Sequence, residues 1–134
     1  MRILIVDGQG GGMGKQLVSQ IKGAIPEAEI TAVGTNTLAT QAMLKAGADN
    51  AATGENALIV NCRSADIIAG PVGIVIADAL LGEISPAMAA AVAQSRAKRI
   101  LLPTNLCDNY IAGIGDTSLS VLIADCIRKI QSFI

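Results

Sequence analysis

The chain has 134 residues, enough for one domain with its own buried core, which we assign to residues 1–134. Ten basic and eleven acidic side chains leave a net charge of −1, and Tyr110 and Phe133 are the only aromatic residues. The sequence therefore offers neither a phosphate-tracking patch nor a base-stacking surface, which argues against nucleic acid as a partner. Hydrophobic residues make up 51% and charged ones 16%, the balance expected of a mostly parallel sheet buried on both faces in a chain that also forms a homo-oligomer.

The predicted elements alternate between strand and helix, the pattern of an α/β fold. "RILIVD" reads as a buried strand that runs straight into a loop holding Gly8, Gly10, Gly11, Gly12 and Gly14. A helix over about 13–23 follows, with Leu17, Val18 and Ile21 on one face. "EITAV" is the second strand, ending in "GTNT"; a helix over about 38–46 comes next, with Gly47 as its C-cap. "DNAATGENALIVNC" reads as a short strand, a polar turn at 53–56 and a short helix. "DIIAGP" is a strand stopped by Gly70-Pro71. "VGIVIADALL" has the β-branched content of a strand, but its place after a strand makes a crossover helix the expectation. Ser85 at N-cap and Pro86 at N1 start a helix that runs to about Ser95. "KRILLP" is a fifth strand, "NYIAGI" a short sixth, and a last helix from about Thr117 buries Leu119, Leu122, Ile123, Cys126, Ile127 and Ile130. The whole predicts a three-layer Rossmann-like fold with a mostly parallel sheet of five or six strands.

Cys62, Cys107 and Cys126 are odd in number, widely spaced and without a histidine in the chain, so they read as reduced thiols of a cytoplasmic protein and define no metal site. The apolar start stops at Asp7, too short for a signal peptide. The longest apolar stretch, 67–81, is interrupted by Gly70, Pro71, Gly73 and Asp78, so no membrane partner is expected.

A parallel sheet binds ligands beyond the carboxyl ends of its strands. The segments that follow the predicted strands are "DGQGGGMG", "GTNT", "TGEN", "GPVG" and "PTN", all small or polar. The first joins a strand to a helix, so its free N–H groups and the positive helix end would attract an anion without a basic side chain. Five glycines are also costly, at roughly 0.5–1 kcal/mol each, unless the backbone must come close to something. Gly8, Gln9, Gly10, Gly11, Gly12, Met13 and Gly14 are thus the candidate phosphate cradle, with one glycine, Gly14, left to close helix–strand packing. Thr35 and Asn36 would face a ribose, and Thr53, Glu55, Asn56 and Asn105 would line the far side. Asp7 would repel a phosphate unless offset, and is expected to tie down the loop backbone. Glu55 is the catalytic candidate, as an acid or base, or else an ordinary first-turn helix acid. Asp78 and Glu83 are the runners-up to Glu55, and are expected to be solvated or paired.

The spacing Gly8, Gly12, Gly14 resembles the TGxxxGxG cofactor loop of short-chain dehydrogenases, with Asp7 where those proteins carry threonine. The strict GxGxxG pattern fails, because its last position falls on Met13 or Lys15. "GGMGKQ" resembles the ParA-type GGxGK loop, but Gln16 replaces the hydroxyl that would hold magnesium, which disfavours a nucleoside triphosphatase. Over nearly the whole chain, "ILIVDGQGGGMGK", "VGTNTLATQAMLKAGA", "ATGENA", "GPVGIVIADALLGEISP" and "KRILLP" resemble a family of short bacterial proteins classed as a domain of unknown function. That resemblance implies a small Rossmann-like domain from a bacterium, and no activity.

The first functional expectation is a module that binds a small phosphate-bearing ligand, a nucleotide or a dinucleotide such as NAD or NADP, through the 8–14 loop. The alternatives are a non-catalytic oligomeric scaffold whose "PVGIVIADALLGEI" segment is an interface helix, and a small enzyme acting on a phosphorylated metabolite with Glu55 as acid or base.

Overall fold

A computed structural model describes residues 1–104 and 108–134 of the chain. Its strands are β1 (Arg2–Asp7), β2 (Glu29–Gly34), β3 (Asn50–Thr53), β4 (Ile67–Pro71) and β5 (Lys98–Leu102). Its helices are α1 (Gly12–Ala24), α2 (Thr37–Lys45), α3 (Glu55–Cys62), α4 (Pro86–Gln94) and α5 (Leu119–Ser132). The strands form one sheet in the order β3-β2-β1-β4-β5, and every pairing is parallel.

Burial on both faces explains the near-continuous apolar strands. Side chains alternate across a strand. Ile3 and Ile5 of β1 accordingly join the core under α1, α2 and α5, with Leu17, Val18, Ile21, Met43, Ile123, Cys126 and Ile130. Leu4 and Val6 join the opposite core under α3 and α4, with Leu58, Cys62, Met88 and Val92. The result is the three-layer α/β architecture expected of the sequence.

Local signals set the helix ends. Asn36 Oδ1 accepts from Ala39 N at 2.9 Å, and Ser85 Oγ from Met88 N at 3.2 Å with Pro86 in the first turn. Gly47 (φ 118°) closes α2 with paired bonds, Gly47 N to Leu44 O and Ala48 N to Met43 O.

Two expectations are corrected. "VGIVIADALL" is not a crossover helix, and so not an interface helix either; it is a single 3-10 turn over Val72–Val75 followed by tight turns. Its β-branched run resists helix, and Gly73 lies where a Cβ would come within 3.3 Å of Ala79 Cβ. "NYIAGI" forms no sixth strand: residues 109–114 are exposed and pair with no strand, and Gly113 sits at φ 85°, outside the extended region. The last helix begins at Leu119, because Ser118 caps it by accepting from Val121 N. No helix among the described residues is long and apolar enough to cross a membrane.

Candidate functional site

Because all five strands are parallel, the segments after them meet at one edge of the sheet. The chain proceeds from β1 outward through β2 to β3, then returns to place β4 on the other side of β1. The strand order therefore switches at β1, and the 8–14 loop leaves β1 at that point, where open α/β sheets form their ligand crevice.

Asp7 organises the loop. Its side chain is 6% exposed, and its two oxygens accept from Gly8 N at 2.8 Å and Gly14 N at 2.7 Å. Burial raises its pKa, the two N–H bonds oppose that rise, and nearby Glu83 adds to it. The expectation that Asp7 ties down the backbone matches this geometry. Gly11, at φ 73°, is the N-cap of α1, and a Cβ there would come within 2.7 Å of Ala39 Cα. At Gly14 a Cβ would lie 2.6 Å from Met43 Sδ and 2.8 Å from Asp7 Cβ, and at Gly8 it would lie 2.6 Å from Thr35 Oγ1. Three of the five glycines are thus required by the fold.

Gly10 and Gly12 are not. A Cβ at either would meet no atom within 4 Å, and neither backbone lies in the left-handed region. Among the described residues the N–H groups of Gly10, Gly12 and Met13 carry no hydrogen bond, and those of Gly12 and Met13 belong to the open, positive end of α1. These residues face a cavity of about 410 Å³, within the usual range for ligand sites. Its walls are Asp7, the loop from Gly8 to Met13, Gln16, Leu80, Thr104 and Leu119. Thr104 Oγ1 is buried there with no hydrogen-bond partner among the described residues.

Thr35 and Asn36, expected to face a ribose, do not line this cavity but meet Glu83 next to Gln9, which does. Thr35 Oγ1, Asn36 Nδ2 (2.8 Å) and Gln9 N (2.8 Å) all donate to Glu83 Oε1, and Asn36 Nδ2 also reaches Gln9 O at 2.9 Å. Gln9 sits at φ 50°, a conformation a non-glycine residue holds only when its surroundings fix it; here Glu83 holds its N–H and Asn36 its C=O. Partial burial of Glu83 works against its charge, but the three donors outweigh it and lower its pKa. Glu83, a runner-up to Glu55 expected to be solvated or paired, is the residue that joins the loop to the end of β2. Nothing in the local sequence marks it, since it lies 74 positions from Gln9.

The remaining candidates lie apart. Thr53 bonds Thr40 at 2.7 Å, and Glu55 accepts from Ser85 Oγ. Neither these two nor Asn56 lines the glycine cavity. They lie at and just beyond the end of β3, two strands from β1 and so about 10 Å away at the usual strand spacing. Asn105 and Cys107 fall outside the described residues. Lys15, the lysine of the Gly-Lys pair, is not in the lining of the glycine cavity and instead lines a groove of about 580 Å³ between α1 and α2. Cys62 and Cys126 are free and buried, and burial pushes their thiols up to about 11 and about 12, which makes them poor nucleophiles.

Fold and loop together define a small doubly wound α/β protein with a glycine loop at the switch point of its sheet. The chain belongs to the family described as Domain of unknown function (DUF3842), whose model matches residues 2–134. No curated protein matches it. Among solved structures it is similar to a dodecameric FMN-dependent Ubix-like decarboxylase from Escherichia coli O157:H7, at 16% identity and a TM-score of 0.53, over 98% of this chain and 95% of the other. At that identity the similarity speaks to the fold.

Proposed function

We propose that this protein binds a nucleotide-type ligand whose phosphate rests on the 8–14 loop. One observation carries the reading: Gly10 and Gly12 are needed neither for backbone conformation nor for packing, and they open onto a cavity lined by unpartnered N–H groups. A phosphate there would accept from Gly10, Gly12 and Met13 and lie at the positive end of α1, which offsets the nearby Asp7. Leu80 and Leu119 supply apolar walls for the rest of the ligand, and Thr104 a hydroxyl in need of a partner.

Dinucleotide folds carry an acid at the end of the second strand for a ribose hydroxyl. Glu83 brings a carboxylate to the end of β2 from a distant segment, and its Oε2 accepts no hydrogen bond among the described residues. Thr35 and Asn36 then act on the sugar through Glu83. The named cofactor of the E. coli neighbour places FMN beside NAD and NADP among the ligands to test.

The test is a melting-temperature panel with FMN, NAD, NADP, ATP and inorganic phosphate, on the wild type and on Gly12→Ala. A ligand at a hundredfold its Kd adds about 2.7 kcal/mol, a shift of several degrees for a chain of this size. Alanine at Gly12 has room and favours helix by up to about 1 kcal/mol, so the variant is expected to melt no lower than the wild type. Its methyl would nevertheless keep a phosphate off the backbone and abolish the ligand shift. A flat panel at millimolar ligand, or equal shifts in both proteins, overturns the proposal.

A further inference from the structure

The two helical layers differ in what they present outward. On one face α1 exposes Lys15, Gln16, Ser19 and Gln20, and α5 exposes Arg128 and Lys129, with Leu38 and Leu44 of α2 and Val121 of α5 exposed among these polar and charged side chains. On the other, no charged residue occurs in 56–62 or in 84–95. α4 buries Met88, Ala89 and Val92, and its outer side is Pro86, Ala87, Ala90, Ala93 and Gln94, while α3 exposes Val60 together with Glu55 and Asn56 at its first turn. Among the described α-helices α4 alone has no charged residue, and a helix with so little polar surface is ordinarily covered on its outer side as well.

The ends of this plate carry its charge. Ser85 Oγ donates to Glu55 at the N-terminal ends of α4 and α3, and Ser95 Oγ donates to Cys62 O at 2.7 Å at their C-terminal ends. The two helices therefore run side by side in one direction. Glu55 stands at one end of the plate and Arg63 and Arg96 at the other, where they flank a groove of about 460 Å³ lined also by Ile59 and Ala91. Among the described residues none of these three charged side chains is in an ion pair. Eight residues at 1.5 Å rise put Glu55 and Arg63 about 12 Å apart along α3.

We propose that the α3–α4 face is the interface with a second copy of this chain, packed about a two-fold axis that lies in the plane of the interface and runs perpendicular to the two helices. That operation reverses the partner's helices, so each Glu55 meets the arginine end of the other copy and the helix dipoles run antiparallel. The alanines allow the helices to approach closely, and the charges at the ends set the register. A different apolar protein would have no reason to match this end-to-end charge pattern, whereas the pattern is complementary to itself.

The experiment is light scattering coupled to size exclusion on the wild type and three variants, with melting curves to verify folding. The wild type is expected at no less than twice the 13.6 kDa chain mass. Ala90→Glu, at an exposed position, sets like charges against each other and is expected to weaken association about tenfold or more with its melting intact. Glu55→Arg is expected to weaken it as well, and adding Arg63→Glu and Arg96→Glu to Glu55→Arg to restore it. A monomeric wild type at high micromolar concentration overturns the proposal, as does a folded Ala90→Glu of unchanged mass. Failure of the triple reversal to recover the assembly lost in Glu55→Arg overturns the two-fold register. None of these readings involves a ligand.

Discussion

Gly12 and Gly14 stand two positions apart in α1, yet a methyl group meets open space at one and Met43 and Asp7 at the other. Gly14→Ala is accordingly expected to lose about 1–3 kcal/mol in chemical denaturation, the usual cost of overpacking a tight site, whereas Gly12→Ala is not. The pair separates a glycine that the packing requires from one that it does not. The sequence showed five glycines in a row of seven and could assign only one of them to packing; Gly8 and Gly11 join it once Thr35 and Ala39 are placed against them. The loop's place between β1 and α1 was legible because strand, glycines and helix are consecutive in the chain. Glu83 was not, because its partners Gln9, Thr35 and Asn36 come from other parts of the chain. Its pKa is lowered in the folded state, so its charge stabilises the fold above its ordinary value of 4.5, and that contribution is lost as the pH falls through the lower folded value. Asp7 has the opposite sign, since its raised pKa means that acid relieves the cost of burying its charge. Comparing the wild type with Glu83→Gln isolates the first effect: the wild type is expected to melt higher near neutral pH, with the gap closing below pH 4.5. A gap independent of pH between 3 and 7 would mean that the charge of Glu83 contributes nothing (an interval spanning its ordinary titration range).

At the scale of elements, those with local punctuation were readable. Ser85-Pro86 and Gly47 announce where α4 begins and where α2 stops, and the structure uses both, whereas Asn36, expected at a ribose, proves to be the N-cap of α2. The segment after β4 carried no such signal. Leu80 and Leu81 adopt φ 57° and 56°, conformations that cost a non-glycine residue roughly 1–2 kcal/mol each. The chain accepts this because burying Ile74, Ala79, Leu80 and Ile84 fixes the turn, and the turn delivers Glu83 to the loop. Leu81 itself is 95% exposed and contributes no packing. Leu81→Gly is therefore expected to stabilise the protein by about 1 kcal/mol, the left-handed strain relieved less the entropy glycine adds to the unfolded chain. Urea denaturation measures it, and a loss of stability would show that the strain is not stored there.

For the molecule as a whole, the alternation of apolar strands and amphipathic helices determined the α/β class, the parallel sheet and the burial of both its faces, because these depend on side-chain periodicity within single segments. A parallel sheet also brings every strand's C-terminal loop to one edge, so the position of a ligand crevice was implied before any strand order was known. Tertiary structure alone decided the order β3-β2-β1-β4-β5, which puts the loop after β1 at the switch point and Thr53, Glu55 and Asn56 two strands away. It alone recruited Leu80, Thr104 and Leu119 to the cavity and Glu83 to the end of β2. It also left the α3–α4 plate facing outward without charge between Glu55 and the two arginines. Periodicity is a property of neighbours along the chain and is written in the sequence, whereas each of these juxtapositions joins segments tens of residues apart through the packing of the complete sheet.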